Sequence, residues 1–272
     1  MLRGMKRETV LALNALNQAF YTAVAAEWSA RRPAWRGFER VFELACAPRL
    51  SASAAARQAG RTAEPVGRFH ALDVGAGDGR FAAWLRARAT AAGLGEDLEY
   101  CGVDASAPLL AYARARGLGT NYRFATLDFV AQPASLPVGP FALIALFGVL
   151  HHVASRAARL QLLADLAQRL APGGTLALTI WRLDRDPRFA ARVRSFSAYN
   201  ARAAQPIDEA DLEAGDRLLG WGHAHGPVRY CHFPDAAETA ELIAAGRWPA
   251  IARFDADGQS GALNEYVLLR RP

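Results

Sequence analysis

The sequence predicts an α/β fold: a seven-stranded, mostly parallel sheet with helices on both faces and an antiparallel hairpin at its C-terminal end. Three observations predict it. From Phe69 onward, short apolar runs alternate with helical patterns, and such alternation builds parallel sheets through right-handed crossovers. One run, FALIALF at 141–147, is apolar nearly throughout, as a strand buried on both faces must be. The last two runs are joined by Asp257-Gly258-Gln259-Ser260-Gly261, which is good turn chemistry for an antiparallel pair.

The elements follow in order. Residues 9–30 read as an amphipathic helix, because Leu13, Leu16, Phe20, Val24 and Trp28 recur at spacings of three and four. A second helix is expected over 37–47, stopping before Pro48. Residues 51–67, rich in Ala, Ser, Gly and Arg, read as a connector with some helix. Residues 1–67 are therefore a helical arm, and 68–272 the α/β domain. Five strands are expected at FHALDV, LEYCGVD, NYRFATLD, FALIALF and TLALTIW. Helices lie between them at FAAWLRARA, APLLAYARAR and 156–170, the last stopped by APGG at 171–174. Residues 182–227 break the rhythm. They are basic at Arg182, Arg185, Arg188, Arg192 and Arg194, then acidic at Asp208, Glu209, Asp211, Glu213 and Asp216, as a lid or insertion would be. The pattern resumes with RYCHF as a strand or edge, a helix at 236–245, and the late strands PAIARFDA and ALNEYVLLRR.

Composition excludes several classes. With 52% hydrophobic and 21% charged residues, the 272-residue chain can bury a core. Its three cysteines, Cys46, Cys101 and Cys231, are far apart with no CxxC; they make neither a disulfide framework nor a thiolate zinc site, and point to a reducing cytoplasm. The longest apolar run, 141–150, is half a membrane span, so no membrane is expected. Glu8, Asn14, Asn17 and Gln18 interrupt any signal-peptide core. The net charge is +6, and all of it sits in residues 1–61, which hold ten basic and four acidic side chains against 22 of each in the remainder. Nearly all the basic residues are arginine, suited to phosphate and carboxylate but also abundant in alanine-rich, GC-rich coding. His223, His225, Cys231 and His232 are metal-ligand types, yet no spacing matches a known site; no metal is expected.

The sharpest signal is Asp73-Val74-Gly75-Ala76-Gly77-Asp78-Gly79, between a strand and a helix. Glycines there let the backbone turn tightly and approach a ligand. A dinucleotide fingerprint requires glycine at position 80, where Arg80 stands. Asp73 and Asp78 would repel a pyrophosphate and suit a ligand carrying an ammonium and a sulfonium. Asp104 ends the second strand, 25 residues after Gly79, where a carboxylate can take two ribose hydroxyls. Asp128 follows the third strand beside Phe129, a pair able to accept an adenine amino group and cover the ring. Three acids in register after three successive strands are not incidental turn residues.

DVGAGDG, Gly102-Val103-Asp104, Leu127-Asp128, GVLHHV at 148–153 and APGG together resemble the class I S-adenosylmethionine-dependent methyltransferases over residues 69–181. One departure is Phe141-Ala142-Leu143, where that family usually carries an acid after the aromatic. The resemblance implies a Rossmann-like fold and S-adenosyl-L-methionine as cofactor. It implies Asp73, Gly75, Ala76, Gly77, Gly79, Asp104, Ala105, Asp128, Phe129 and Phe147 as the residues around it.

A longer resemblance, to tRNA wobble-uridine carboxymethyl methyltransferases, rests on Trp28, Ser29, Arg32 and Trp35, on Thr179-Ile180-Trp181, on 215–221, on RYCHF, and on Asn264, Tyr266 and Val267. It implies esterification of a carboxymethyl group on tRNA, with a small metabolite or lipid bearing a carboxylate or hydroxyl as the alternative acceptor. It also implies a small zinc-binding activator protein, and no DNA. A carboxylate acceptor needs a cation rather than a base. Arg32, Trp181, His151 and Arg229 are the candidates on the acceptor side, with Tyr21 and Trp35 in the lid. For a hydroxyl or amine acceptor, His151 would be the base.

Overall fold

The computed structural model describes residues 4–30, 33–58, 68–183, 187–223 and 226–272. The arm begins with helix α1 (Arg7–Ala30), which buries Leu13, Phe20 and Val24 on one face, together with Asn14 and Asn17. Next come α2 (Gly37–Val41), a π-helical turn (Phe42–Cys46) and α3 (Ala47–Gln58) without interruption. The expected stop before Pro48 does not occur. Pro48 sits inside this continuous helical stretch, just after the π-helical turn. The carbonyl it leaves without an i+4 donor, that of Leu44, accepts instead from Arg270 Nη2 at 2.5 Å.

The α/β part runs β1 (Phe69–Val74), α4 (Arg80–Ala91), β2 (Leu98–Asp104), α5 (Ala107–Ala115), β3 (Tyr122–Thr126), β4 (Phe141–Leu146), α6 (Arg156–Gln168) and β5 (Leu170–Trp181). Ala171-Pro172-Gly173-Gly174 is not a helix stop but the irregular start of β5, whose Leu170 already pairs with Phe141. The pairing register with β4 shifts between Phe141 and Leu143. Glycine is required at 174, since a Cβ there would lie 2.6 Å from the Phe141 carbonyl oxygen.

The insertion contains α7 (Pro187–Ala190), β6 (Val193–Arg194), α8 (Phe196–Asn200) and β7 (Asp216–Gly220), and is followed by β8 (Val228–His232), α9 (Ala236–Ala245), β9 (Ala250–Ala256) and β10 (Asn264–Arg270). RYCHF does not rejoin the main sheet. It supplies β8, which pairs antiparallel with β7, so β6, β7 and β8 form a small sheet of their own and the insertion extends to His232.

The main sheet has seven strands in the order β3-β2-β1-β4-β5-β10-β9, with β10 antiparallel to both neighbours. This is the expected Rossmann-like architecture. One core layer packs Phe38, Val41, Phe42, Phe81 and Leu85 against the sheet, and the other packs Leu162, Leu163, Leu166 and Leu242 on its opposite face. Strand order reverses between β1 and β4, which opens a crevice at their carboxyl ends. α1 lies over that crevice, touching α5 at one side and β8 at the other. Among the described residues no helix is long and apolar enough to cross a membrane.

Candidate active site

The crevice is a cavity of about 170 Å³. Its floor is the loop between β1 and α4. Gly75 and Ala76 both donate to the Val103 carbonyl, at 2.8 and 3.0 Å, which ties the loop to β2. Gly75 has φ +80°, and a Cβ there would strike Val149 Cγ2 at 2.2 Å. Gly77 has φ +54°, its N–H donates to Asp104 Oδ2 at 2.8 Å, and nothing lies within 4 Å of where its Cβ would be. The loop thus presents bare backbone to the cavity.

Three carboxylates, Asp73, Asp78 and Asp104, line that space. Asp104 Oδ1 accepts from Ser106 N at 2.7 Å, and burial raises its pKa against the pull of its two backbone donors. Asp73 is buried and accepts from the Tyr100 hydroxyl, and burial pushes it up to about 7. Among the described residues neither Asp73 nor Asp104 has a lysine or arginine partner. Asp78, by contrast, pairs with Arg80 at 3.4 Å and Arg116 at 2.9 Å and is already neutralised. Arg80 lines the same cavity, and its buried Nε has no partner. Phe129, Ala105, Leu109 and Val130 complete an apolar end. The donor set fits S-adenosylmethionine. Asp73 would face the cationic end, Arg80 the amino-acid carboxylate, Asp104 the ribose hydroxyls, and Phe129 with its apolar neighbours the adenine.

A family model described as a methyltransferase domain matches residues 72–176, the span holding this loop and these acids. The chain carries a class I methyltransferase domain of the S-adenosylmethionine-dependent kind. It is similar to two mammalian proteins described as probable tRNA methyltransferase 9B. The human one is 27% identical over 192 residues, covering 66% of this chain and 38% of that protein. The mouse one is 30% identical over 118 residues, covering 43% and 22%. The chain therefore spans well under half the length of these relatives. Among solved structures, a magnesium protoporphyrin IX methyltransferase from Synechocystis aligns with TM-score 0.55 at 10% identity, covering 95% of this chain and 99% of that one. A 1,6-didemethyltoxoflavin N1-methyltransferase from Burkholderia thailandensis aligns with TM-score 0.54 at 16% identity, covering 96% and 90%. At these identities the likeness is one of fold.

The methyltransferase domain brings most of the expected cofactor residues together: Asp73, Gly75, Ala76, Gly77, Asp104, Ala105, Phe129 and Phe147 all line the cavity. Two do not. Gly79 packs behind the loop, where a Cβ would lie 2.8 Å from that of Ala113. Asp128 turns toward the arm. Its Oδ1 accepts from Val130 N and Ala131 N, and its Oδ2 from Asn14 Nδ2 at 2.8 Å and Gln18 Nε2 at 2.7 Å. Arg32 and His225 lie outside the described residues.

The acceptor-side residues also differ from expectation. His151 and Trp181 are not in the cavity wall. They stack on each other behind it, rings 4.0 Å apart. The imidazole that lines the cavity is that of His152. Its Nδ1 donates to the Tyr230 carbonyl at 2.8 Å, leaving Nε2 to accept from the Tyr21 hydroxyl at 2.7 Å. Burial, then the nearby charge of Arg229, lowers His152 to about 3; burial, then His152 and Arg229, lowers His151 well below its ordinary value. Both rings are neutral at physiological pH, and His152 is too weak a base to take a proton from a hydroxyl or amine. Tyr21, Trp28, Trp35 and Phe38 of the arm roof the cavity, with Asn14 and Asn17 beside them. The two asparagines were missed at the sequence level. Their signal was a pair of amides on the apolar face of α1, where buried polar groups demand partners. Arg80 was missed too, because it stood out only as the residue that breaks a dinucleotide fingerprint.

A second cavity, of about 960 Å³, lies away from the glycine loop between α6, α9 and the small sheet. Glu213, His232 and Glu238 on its wall bring three ligand-type atoms within 4.8 Å. The guanidinium of the buried Arg159 occupies the space among them, bonded to Glu213 at 2.5 Å and Glu238 at 2.6 Å, so this is an ion-pair network rather than a metal site. The grouping of His151, His152 and Cys231 is no better suited to a cation, with Arg229 beside it and burial pushing the Cys231 thiol up to about 12.

Cofactor binding is expected to depend on pH through Asp73. Its folded pKa of about 7 lies above the ordinary 3.8, so the group favours the free fold below 3.8 and that contribution is lost as pH rises through 7. A cationic ligand favours the ionised form. Affinity for S-adenosylmethionine is therefore expected to fall by up to about tenfold per unit below pH 7, with a proton released on binding. Calorimetry in buffers of different ionisation heat reads both. Affinity that stays flat from about pH 8 to 5.5 would show that Asp73 does not meet the ligand's charge.

Proposed function

We propose that the chain methylates a carboxylate, and that its acceptor is a carboxymethyl-type wobble uridine of tRNA. The observation that carries the carboxylate is His152: the cavity's imidazole is held neutral, capped by Tyr21 and poor as a base. A carboxylate is already a nucleophile and needs no proton removed. The bound cofactor would supply a methyl group already activated on a sulfonium, so the protein's task is to position and to exclude water. Asp73, Asp104 and Arg80 hold and orient, the glycine loop lets the backbone come close, and the arm's Tyr21, Trp28 and Trp35 keep the cavity dry. The tRNA part draws support from the basic arm and from the likeness to mammalian proteins described as probable tRNA methyltransferases. With it comes a small zinc-binding activator as partner, tested by whether the isolated chain turns over.

The test is incubation with labelled S-adenosylmethionine against separate tRNA and small-molecule pools, followed by nucleoside mass spectrometry. Label is expected in an ester of an anionic uridine. Label only in the small-molecule pool would transfer the reading to a metabolite. Binding to tRNA is expected to weaken at least about tenfold between roughly 50 and 200 mM salt, because phosphate contacts release counterions. A flat salt response would remove RNA from the proposal.

A further inference from the structure

Among the described residues the fold buries two arginines and treats them differently. Arg159 is 1% exposed and has two carboxylate partners. Arg229, on β8, is 3% exposed; it has a side-chain hydrogen bond with Cys231, but its Nε and Nη1 have no hydrogen-bond partner. Among the described residues no carboxylate pairs with it. Its guanidinium lies instead against the rings of Phe20, Trp28, Trp181 and Trp221, at 5.1, 5.3, 5.2 and 5.9 Å. Aromatic faces attract a cation by about 0.5–2 kcal/mol each. They do not replace the hydrogen bonds that such a charge gives up on leaving water, which is why buried charges are ordinarily paired.

A second orphan adjoins it. His151 is buried, its ring is stacked on Trp181, and its Nδ1 has no partner. Arg229 and His151 thus flank one indole with unused polar atoms. Trp28 belongs both to this cage and to the cofactor cavity, so the cage stands directly behind the cavity's roof. Unpaired N–H donors and a single positive charge among apolar rings match a monoanion better than a phosphate dianion.

We propose that Arg229 is the anchor for the acceptor's carboxylate, with the four aromatic rings excluding water. The anchor would orient the acceptor toward the cofactor cavity and select an acid over its neutral amide. This rests on the carboxylate reading above and adds the residue that enforces it.

The test uses the cage's own tryptophan fluorescence on the full chain with S-adenosylhomocysteine present. The probes are acetate, 5-carboxymethyluridine and its neutral 5-carbamoylmethyl counterpart. Saturable binding of acetate and of the acid nucleoside is expected, with the amide roughly tenfold weaker or more. In Arg229→Gln both carboxylates are expected to lose that advantage while S-adenosylhomocysteine affinity, read by calorimetry, is kept. Undiminished carboxylate binding in the variant, or no carboxylate binding in the parent, overturns the proposal. Should acetate bind through Arg229 while the nucleoside fails, the anchor stands and the uridine reading falls. Should the nucleoside bind equally to both proteins, the reverse holds. If Arg229→Gln does not fold, Arg229→Lys keeps the charge but loses the guanidinium's Nε and Nη1 donors. A roughly tenfold loss of acetate affinity is then expected, and equal affinity overturns the assignment.

Discussion

Replacing Asp104 with alanine is expected to weaken cofactor binding by about a hundredfold or more. The carboxylate does two things at once. It accepts from Gly77 N and Ser106 N, which fixes the loop and the start of α5, and its remaining lone pairs face the cavity. Two hydrogen bonds from ribose hydroxyls to a charged acceptor are together worth roughly 3 kcal/mol, and disorder in the loop adds to the loss. Asp104→Asn keeps one acceptor oxygen and should fall between parent and alanine. Calorimetry with S-adenosylhomocysteine reads the affinity, and a thermal melt of the free protein shows that the fold survives. Binding within about threefold of the parent would move the ribose away from β2.

Arg159→Ala is expected to cost the fold about 3–5 kcal/mol, the usual consequence of leaving buried charges without their counterion. Its guanidinium bonds Glu213, Glu238 and the Val153 carbonyl. His232 stands beside it, between Asp216 at 2.7 Å and Glu238 at 2.8 Å. Burial opposes charge on Glu238, yet His232 and Arg159 outweigh it and hold its carboxyl down at about 2. Without the arginine, Glu213 and Glu238 face each other across the seam joining α6, α9 and the small sheet. A melting temperature lower by roughly 10 °C is expected for a chain of this size. Adding Glu213→Gln to the alanine variant should recover part of the loss, since it removes one of the stranded charges. A shift under about 1 kcal/mol, or no recovery in the double variant, would mean that water replaces the guanidinium.

Much of this arrangement is legible in the chain because its causes are local. DVGAGDG announces a strand, a tight loop and a helix by residue type alone, and the acids at the ends of β1 and β2 fall where strand ends must converge. The order of the sheet follows from crossover handedness. Elsewhere the deciding contacts come from afar. RYCHF alternates as any strand does, and nothing within it says that Asp216 rather than the main sheet supplies its partner. His151-His152 is ambiguous, because a one-residue difference in direction separates the cavity from the stack behind it. Asp128 carries the pattern of an adenine acceptor, yet its free lone pairs are claimed by amides more than a hundred residues upstream. Pro48 reads as a helix stop until Arg270 is seen to satisfy the carbonyl it orphans.

The arm's attachments carry a consequence for how the protein comes into being. Lys6 N bonds Asp211, Lys6 Nζ bonds Asp208, and the Asn17 side chain bonds Tyr230 N, across sequence separations of 205, 202 and 213 residues. On the ribosome, α1 therefore emerges long before the surfaces that cover its apolar face exist. At roughly 5–20 residues per second it waits on the order of ten seconds or more with Leu13, Phe20 and Val24 unprotected. Closure of so long a loop comes late and slowly. Nascent chains halted before β8 should thus leave the arm open to protease and chaperone, and the cavity should take up ligand only after the small sheet has been made.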